Sequence, residues 1–363
     1  MNNKSIPIHR LQNQQIAATN FKTPNELVNW MGAMQAQDYS MAKWAIGVRL
    51  PGSTDKSIDK AVSNGEILRT HVLRPTWHFV SPEDIRWMLK LTAPNIISSM
   101  KGRHKQLELD DATIKKSIRI IEKALSKGEH LKREVLVDLL EHAGIRTNDN
   151  RAAHILMFAE LNGLICSGKL TGNKQTFAFL DERIPAQKNI SKEESLKSLA
   201  IKYFQSHGPA TLQDFIWWSG LKVKDAKLSL DLIKDEFLSV KIGEKEYYVK
   251  EKDYDRDKAG VKNKSSIFLL PAYDEFLISY KDRSASLDKV NSPKTISSNG
   301  IFRPIMVVDG KVVGIWRRTT SNNRSLIFIK YLTDCDNKIR SKINSLVLNY
   351  GIFLGRNTEL IVE

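Results

Sequence analysis

One pattern of hydrophobic and polar positions recurs along the chain: apolar residues at helical spacing, then two short extended runs. It is clearest in the middle of the chain. Apolar side chains recur every three or four positions over 114–125, 131–141 and 151–162, which predicts three helices. Apolar runs at 164–166 and 177–180 flank a turn bordered by glycines, which predicts a β-hairpin.

The same pattern appears before and after this segment. A predicted helix at 58–63 is followed by extended runs at 67–71 and 76–80, and residues 191–252 contain three predicted helices and a hairpin. Three helices and a hairpin are typical of the winged helix-turn-helix unit, which places a recognition helix in a DNA groove. Winged helices also act as protein-interaction modules, so the pattern alone leaves that alternative open.

The pattern changes near residue 265, where β-branched runs separated by turns replace the helices. Asp309-Gly310, between two of these runs, is a strong hairpin signal. The predicted strands lie at 267–270, 305–308, 312–316, 326–329 and 360–362, with a helix at 337–349.

These elements predict an α+β protein with three tandem winged helix-turn-helix units followed by a β-rich C-terminal domain. The predicted boundaries are 1–108 for the first unit with its connecting helices, 109–185 for the second, 190–253 for the third and 265–363 for the C-terminal domain. The lysine-rich segment 251–266 is the predicted linker.

The chain carries a large positive charge. Its 363 residues include 56 Lys and Arg against 41 Asp and Glu, which gives a net charge of +15. A surplus of this size favours a polyanionic partner such as nucleic acid, although a merely basic surface gives the same count. The sequence has no apolar window of the ~20 residues that a membrane helix needs, no secretory leader, and no metal-binding spacing at its two cysteines. We expect a cytoplasmic monomer without membrane association, metal or other cofactor.

The candidate chemistry begins with the stretch Met34-Gln35-Ala36-Gln37-Asp38, just beyond an apolar helical run. In an extended segment, residues two apart point to the same side, so the two amides would share one face and Asp38 would point away. Gln-x-Gln is common by chance, and on these residues alone a solvated helix end is the better explanation of the pair.

Five stretches, in order along the chain, carry a resemblance to a known family. They are MQAQDY at 34–39, LRPTWHFV at 73–80, DFIWWSGL at 214–221, LPAYDEF at 270–276 and GIFRP at 300–304. Together they resemble the AlkZ/YcaQ family of winged-helix DNA glycosylases. The resemblance implies tandem winged helices around a basic channel, and excision of alkylated purines from double-stranded DNA, in some members from interstrand crosslinks. It also implies that Gln35 and Gln37 are catalytic. A related branch has Asp at the second of these positions, so this chain is more similar to the AlkZ branch.

Two glutamines suit glycoside hydrolysis only if the base leaves easily. The reaction usually needs a carboxylic acid to protonate the leaving group, and glutamine cannot act as an acid or base at neutral pH. An N7-alkylated purine is already cationic and leaves without protonation. Two amide carbonyls can then accept both hydrogens of a water and direct their dipoles at the cationic sugar. The sequence therefore predicts a glycosylase for cationic N7-alkylated purines, and it is predicted to be monofunctional because no Schiff-base lysine stands out.

The remaining candidates are charged. The predicted DNA-contacting residues are Arg69, His71, Arg74, His78, Arg283, Arg303, Arg317 and Arg318, and for each of them a structural or solvated role is an open alternative. Tyr273, Asp274 and Glu275 are interpreted either as an acidic part of the site or as packing at a domain interface. The alternative function is that of a winged-helix transcriptional regulator without catalytic activity.

Overall fold

Helices and strands mix along the whole chain in the computed structural model, which describes residues 1–185, 187–258, 266–321 and 324–363. The helices are α1 (Ile6–Asn13), α2 (Pro24–Met31), α3 (Tyr39–Gly47), α4 (Asp55–Asn64), α5 (Ile85–Gln106), α6 (Asp111–Leu125), α7 (Arg133–His142), α8 (Arg151–Leu161), α9 (Leu180–Arg183), α10 (Lys192–His207), α11 (Leu212–Ser219), α12 (Val223–Asp231), α13 (Glu251–Lys258), α14 (Glu275–Ile278), α15 (Ser292–Thr295) and α16 (Asn337–Leu354). The strands are β1 (Ala33–Gln35), β2 (Leu68–His71), β3 (Trp77–Val80), β4 (Leu131–Lys132), β5 (Ile165–Ser167), β6 (Thr176–Phe179), β7 (Leu238–Ile242), β8 (Lys245–Val249), β9 (Ile267–Leu270), β10 (Ile305–Val308), β11 (Lys311–Ser321), β12 (Arg324–Tyr331) and β13 (Asn357–Val362).

The three predicted hairpins are present as β2–β3, β5–β6 and β7–β8. Two of them are extended by a third strand that the sequence pattern did not predict: β1 pairs with β3, and β4 pairs with β6. The C-terminal strands form a five-stranded sheet in the order β13-β12-β11-β10-β9. The structure is thus a mixed α/β fold, as expected.

Helix starts follow the local sequence. The side chains of Thr23, Ser191 and Thr211 each accept a hydrogen bond from the backbone N–H of the third residue of their helix. The carboxylate of that third residue accepts one from the backbone N–H of the cap residue. These capping boxes satisfy backbone N–H groups that a helix start leaves unpaired. Helix α11 ends at Gly220, whose φ of +67° suits glycine, and a Cβ there would lie 2.3 Å from the carbonyl oxygen of Leu73. The end of α11 therefore packs directly on the β2–β3 turn.

Strands β1, β3 and β2 form a three-stranded sheet, called the first sheet below. A different hydrophobic core packs on each of its faces, because side chains alternate between the faces of a strand. The face with Met34 and Phe79 packs with α2–α4, α16 and the five-stranded sheet. The face with Ala33 and Val80 packs against α10–α12. A third core lies among α6–α8 and the second hairpin. The first sheet thus lies between helices α10–α12 on one face and the five-stranded C-terminal sheet on the other.

One local prediction was wrong: the apolar spacing at the start of the chain predicts a helix over 8–17, whereas α1 spans Ile6–Asn13. The predicted linker begins with helix α13, whose Asp253 accepts a 2.9 Å hydrogen bond from Asn13, so this part is tied to α1 by contacts distant in sequence. Residues 259–265 of the predicted linker lie outside the described residues. None of the helices in the described part of the chain has the length and apolar character to cross a bilayer.

Candidate active site

Strand β1 holds Gln35 in a fixed position. Its register with β3 pairs Ala33 with Val80, and Gln35 with His78. Beyond the strand, the N–H of Ala36 donates a 2.7 Å hydrogen bond to the carbonyl of Trp77. The N–H of Gln35 donates a 2.6 Å hydrogen bond to Oε1 of Glu275, which lies 240 positions further along the chain.

The two glutamines have different surroundings. Gln35 is 5% exposed, and its Oε1 is buried without a hydrogen-bond partner among the described residues. Gln37 is exposed. Asp38, also exposed, accepts a 3.0 Å hydrogen bond from the N–H of Met41 and caps helix α3. The structure therefore places one amide inside the protein and the other at its surface. Only Ala36, which is buried, lies between them in the sequence.

A row of polar side chains crosses the first sheet at Gln35. His78 lies opposite Gln35 on one side and opposite Thr70 on the other, and directly opposite residues share a face. Nδ1 of His78 lies 2.9 Å from the carbonyl oxygen of Thr76. Burial, followed by the charge of Arg74, lowers the pKa of His78 to about 3, so the ring is neutral and Nε2 is an acceptor when Nδ1 donates to Thr76. Like Gln35 Oε1, this Nε2 and the hydroxyl of Thr70 have no hydrogen-bond partner among the described residues.

The loop that carries Asp274 and Glu275 anchors the site from the C-terminal sheet. Both carboxylates are buried. Asp274 forms a bidentate ion pair with Arg49, at 2.8 and 2.9 Å. Burial would raise the pKa of Glu275, but hydrogen bonding and charge from His207, and hydrogen bonds from Ser279 and from the backbone of Gln35, lower it to about 2. Both interpretations of this acidic stretch therefore apply, since it packs at an interface and also fixes the backbone of Gln35.

Arg69 and His71 support the site from β2. Nε of Arg69 donates a 2.9 Å hydrogen bond to the carbonyl of Ala36, and its guanidinium lies 4.3 Å from the centre of the Trp77 ring. His71 is buried, and its Nδ1 lies 2.5 Å from Oε2 of Glu160. The side chains of His71 and His78 are both buried, which supports the structural role left open for them, and their contact with DNA stays a prediction.

Arg74 and Arg283 both lie close to one half-buried tryptophan, Trp217. Their guanidinium carbons are 6.0 and 5.3 Å from the centre of the Trp217 ring, and Nζ of Lys281 is 5.0 Å from it. The indole N–H of Trp217 donates to the carbonyl of Ile278. This arrangement, called the Trp217 cluster below, concentrates three positive charges around one aromatic ring.

The arginines on β11 point in opposite directions. Arg318 shares a face with Trp316 and donates hydrogen bonds to the hydroxyl groups of Ser40 and Tyr350, on the side of the glutamine stretch. Arg317 lies on the outer face, where its guanidinium is 3.6 Å from the centre of the Phe328 ring and pairs with Glu363. A cavity of about 790 Å³ opens on that outer face. Its cationic lining residues are Lys294, Arg303, Arg317 and Lys330.

Comparison with known proteins decides the family. The profile described as "DNA glycosylase AlkZ-like" matches residues 28–338. The chain belongs to the AlkZ-like DNA glycosylase family. A curated relative, the interstrand DNA cross-link repair glycosylase of Streptomyces sahachiroi, is 24% identical over 321 residues, which cover 85% of each chain. The solved structure of Streptomyces sahachiroi DNA glycosylase AlkZ matches with a TM-score of 0.83 over 100% of both chains, at 18% identity.

Membership of the AlkZ-like family confirms the resemblance and the enzyme class, a DNA glycosylase. It supports the enzyme interpretation and not the transcriptional regulator. The positions that sequence reasoning missed are the ones that support Gln35 from a distance, namely Arg49 and the Glu275 contact with its backbone. Glu275 was within a stretch that carried the resemblance, whereas Arg49 gave no local signal. Among the described residues there is no group of three or more His, Cys, Asp or Glu side chains that could hold a metal ion.

Proposed function

We propose that this DNA glycosylase hydrolyses the N-glycosidic bond of cationic N7-alkylated purines in duplex DNA, as a monomeric, monofunctional enzyme. Gln35 and Gln37 orient the attacking water. The side-chain carbonyl of Gln35 accepts a hydrogen bond from this water inside the protein. The side-chain carbonyl of Gln37 accepts one at the surface, where DNA would bind. Neutral His78, opposite Gln35, leaves the site without an added positive charge that would oppose a cationic sugar.

The observation that carries this proposal is the state of the carboxylates around Gln35. Glu275 has a pKa of about 2, so it holds no proton to donate at neutral pH. Asp274 is paired with Arg49, and Asp38 accepts the capping hydrogen bond of α3. A glycosylase that lacks a general acid near its water-orienting groups needs a base that leaves unassisted, and a cationic purine is such a base.

We further propose that the three helix-and-hairpin segments are winged helix-turn-helix units with the boundaries predicted above, and that Arg74, Arg283, Arg303, Arg317 and Arg318 contribute to DNA binding. Arg69 acts by holding the backbone of Ala36. Because a relative is named as a cross-link repair glycosylase, we include interstrand crosslinks between N7-alkylated purines as a second substrate. They present the same cationic leaving group.

The test uses duplex DNA with a single N7-methylguanine. The wild-type protein should release the methylated base and leave an abasic site, seen as a strand break only after heat or alkali. Replacing both glutamines (Gln35→Ala with Gln37→Ala) should lower the single-turnover rate by about 100-fold or more, the size of effect seen when a preorganised polar group is removed from an active site.

Gln106, an exposed glutamine at the end of α5, provides a matched control. Gln106→Ala should release the base at the wild-type rate. Unchanged release by the double variant would refute the roles given to Gln35 and Gln37, and absence of release by the wild type would refute the substrate class.

A further inference from the structure

The loop from Pro271 to Phe276 is held at its C-terminal half by two buried contacts. Asp274 binds Arg49 through two hydrogen bonds, and Glu275 accepts the N–H of Gln35 at 2.6 Å. At its other end the loop follows directly from β9. The residue before these two anchors, Tyr273, is therefore fixed relative to Gln35.

Tyr273 has a backbone conformation that aromatic residues rarely adopt. Its φ is +58°, in the left-handed region, where the Cβ of a bulky side chain is unfavourable. Glycine or asparagine would adopt this conformation at lower cost. Strained residues of this kind cluster at ligand-binding and catalytic sites. The unfavourable backbone conformation of Tyr273 therefore points to a functional role for its side chain.

The ring of Tyr273 is only partly covered by the protein. It is half-buried, and its centre lies 6.2 Å from that of Phe302, at an angle of 43°. Its hydroxyl makes no hydrogen bond to a described residue. Burial, followed by the carboxylate of Asp38, raises the pKa of the phenol, so the charge of Asp38 acts on this side chain.

We propose that Tyr273 stacks on the alkylated purine and recognises its positive charge. This inference rests on the proposed function. The face of an aromatic ring attracts a cation through its quadrupole, and an extruded base is commonly held by aromatic side chains. The negative charge of Asp38 near the same ring adds to the preference for a cationic base over a neutral one.

Trp217 is the competing aromatic residue, but its surroundings suit a different ligand. Arg74, Lys281 and Arg283 all lie within 6.0 Å of the centre of its ring. These charges would repel a cationic purine and attract a phosphate. The two aromatic residues therefore bind different parts of the substrate. Tyr273 stacks on the base, and the Trp217 cluster binds the phosphate backbone.

The experiment compares the affinities of the full-length protein for two duplexes. One contains a single 2′-fluoro N7-methylguanine nucleotide, whose glycosidic bond resists hydrolysis, and the other is unmodified. The readout is the ratio of the two dissociation constants. Three substitutions are compared: Tyr273→Phe keeps the ring, Tyr273→Leu removes it, and Tyr273→Asn removes it while tolerating the left-handed backbone.

We expect the wild type and Tyr273→Phe to prefer the lesion to the same extent. Tyr273→Leu and Tyr273→Asn should lower that preference by about 2- to 30-fold, the range of a cation–π contact, with unchanged affinity for the unmodified duplex. Tyr331→Leu, a change at another half-buried tyrosine of the C-terminal sheet, is the control and should keep the preference.

The inference is overturned if Tyr273→Asn or Tyr273→Leu keeps the wild-type preference, or if the wild type has no preference. Because Asn relieves the backbone, a loss of preference in Tyr273→Asn does not come from a damaged loop. Release of N7-methylguanine is measured separately. If the wild type prefers the lesion without releasing the base, and Tyr273→Leu and Tyr273→Asn lose that preference, the proposed function is contradicted and the stacking role is supported. If the wild type releases N7-methylguanine and Tyr273→Leu keeps the wild-type preference for the lesion, the proposed function is supported and the stacking role is contradicted.

Discussion

The first sheet and the outer face of the C-terminal sheet both present polar side chains, but in opposite ways. Around Gln35 the charged groups are buried and mostly paired, as in Arg49 with Asp274. On the outer face, Arg303 and Lys330 are exposed and form no ion pair with a described residue. One region has its charges fixed by the protein, and the other offers them to solvent.

This difference separates two tasks. Buried pairs cannot rearrange without a large cost, so they hold the backbone of Gln35 in one geometry. Exposed cations gain little from the protein itself but attract phosphates, with an affinity that depends on salt. We therefore expect changes in the first region to affect stability and changes in the second to affect DNA affinity, and three measurements test that division.

The largest effect is expected for Arg49→Ala. It leaves the carboxylate of Asp274 buried and unpaired, which should lower the free energy of unfolding by about 3–5 kcal/mol. Urea denaturation of the folded protein provides the measurement. The matched control is Arg324→Ala, which breaks an exposed pair with Glu359 at 3.3 Å and should change stability little. Equal losses in the two variants would contradict the distinction between buried and exposed pairs.

The second expected effect is a loss of stability in acid. The ordinary pKa of histidine is 6.5, and that of buried His78 is lowered to about 3. Between these values the unfolded chain binds a proton that the folded protein does not, so the free energy of unfolding falls as the pH falls. One such group contributes a slope of at most about 1.4 kcal/mol per pH unit. Below pH 4.5 Glu275, with its pKa of about 2, adds a loss of the same sign.

Urea denaturation at a series of pH values between 7.5 and 4 would measure this slope. His78→Asn keeps a donor for the carbonyl of Thr76 but removes the titrating ring, so the slope should become flatter even if overall stability falls. His142→Gln, at an exposed position of α7, should keep the wild-type slope. An unchanged slope in His78→Asn would show that another group causes the acid loss.

The smallest effect is expected on the outer face. If Arg303 and Lys330 each neutralise one phosphate, replacing either by Ala should reduce the slope of log affinity against log salt by about 0.9, with a modest loss of affinity at low salt. Fluorescence anisotropy with a labelled duplex would measure both. Lys342→Ala, an exposed position on α16 at the other face of the sheet, should leave the slope unchanged. If neither Arg303→Ala nor Lys330→Ala changes the slope of log affinity against log salt, this face does not bind DNA.

Much of the local structure could be predicted because it depends on near neighbours. Capping residues such as Thr211 and turn residues such as Asp309-Gly310 act within a few positions, and the helices and hairpins appeared close to where their patterns predicted them. The boundaries of β11 were harder, since the strand continues through Thr319 and Thr320 by pairing with β12 rather than by apolar alternation. That extension is what places Arg317 and Arg318 on opposite faces.

The candidate site divides along the same line. The sequence by itself determined the net charge, the repeated helix-and-hairpin pattern and the Gln-Ala-Gln stretch with its family resemblance, because each of these is carried by residue identity and short spacing. Only the tertiary structure decided that Gln35 is buried and Gln37 exposed, that Glu275 holds the backbone of Gln35, and that Tyr273, next to Asp274, has a left-handed backbone. The contact between Glu275 and Gln35 joins residues 240 positions apart. It forms because the first sheet is buried between two cores, where water cannot hydrogen-bond to its polar groups.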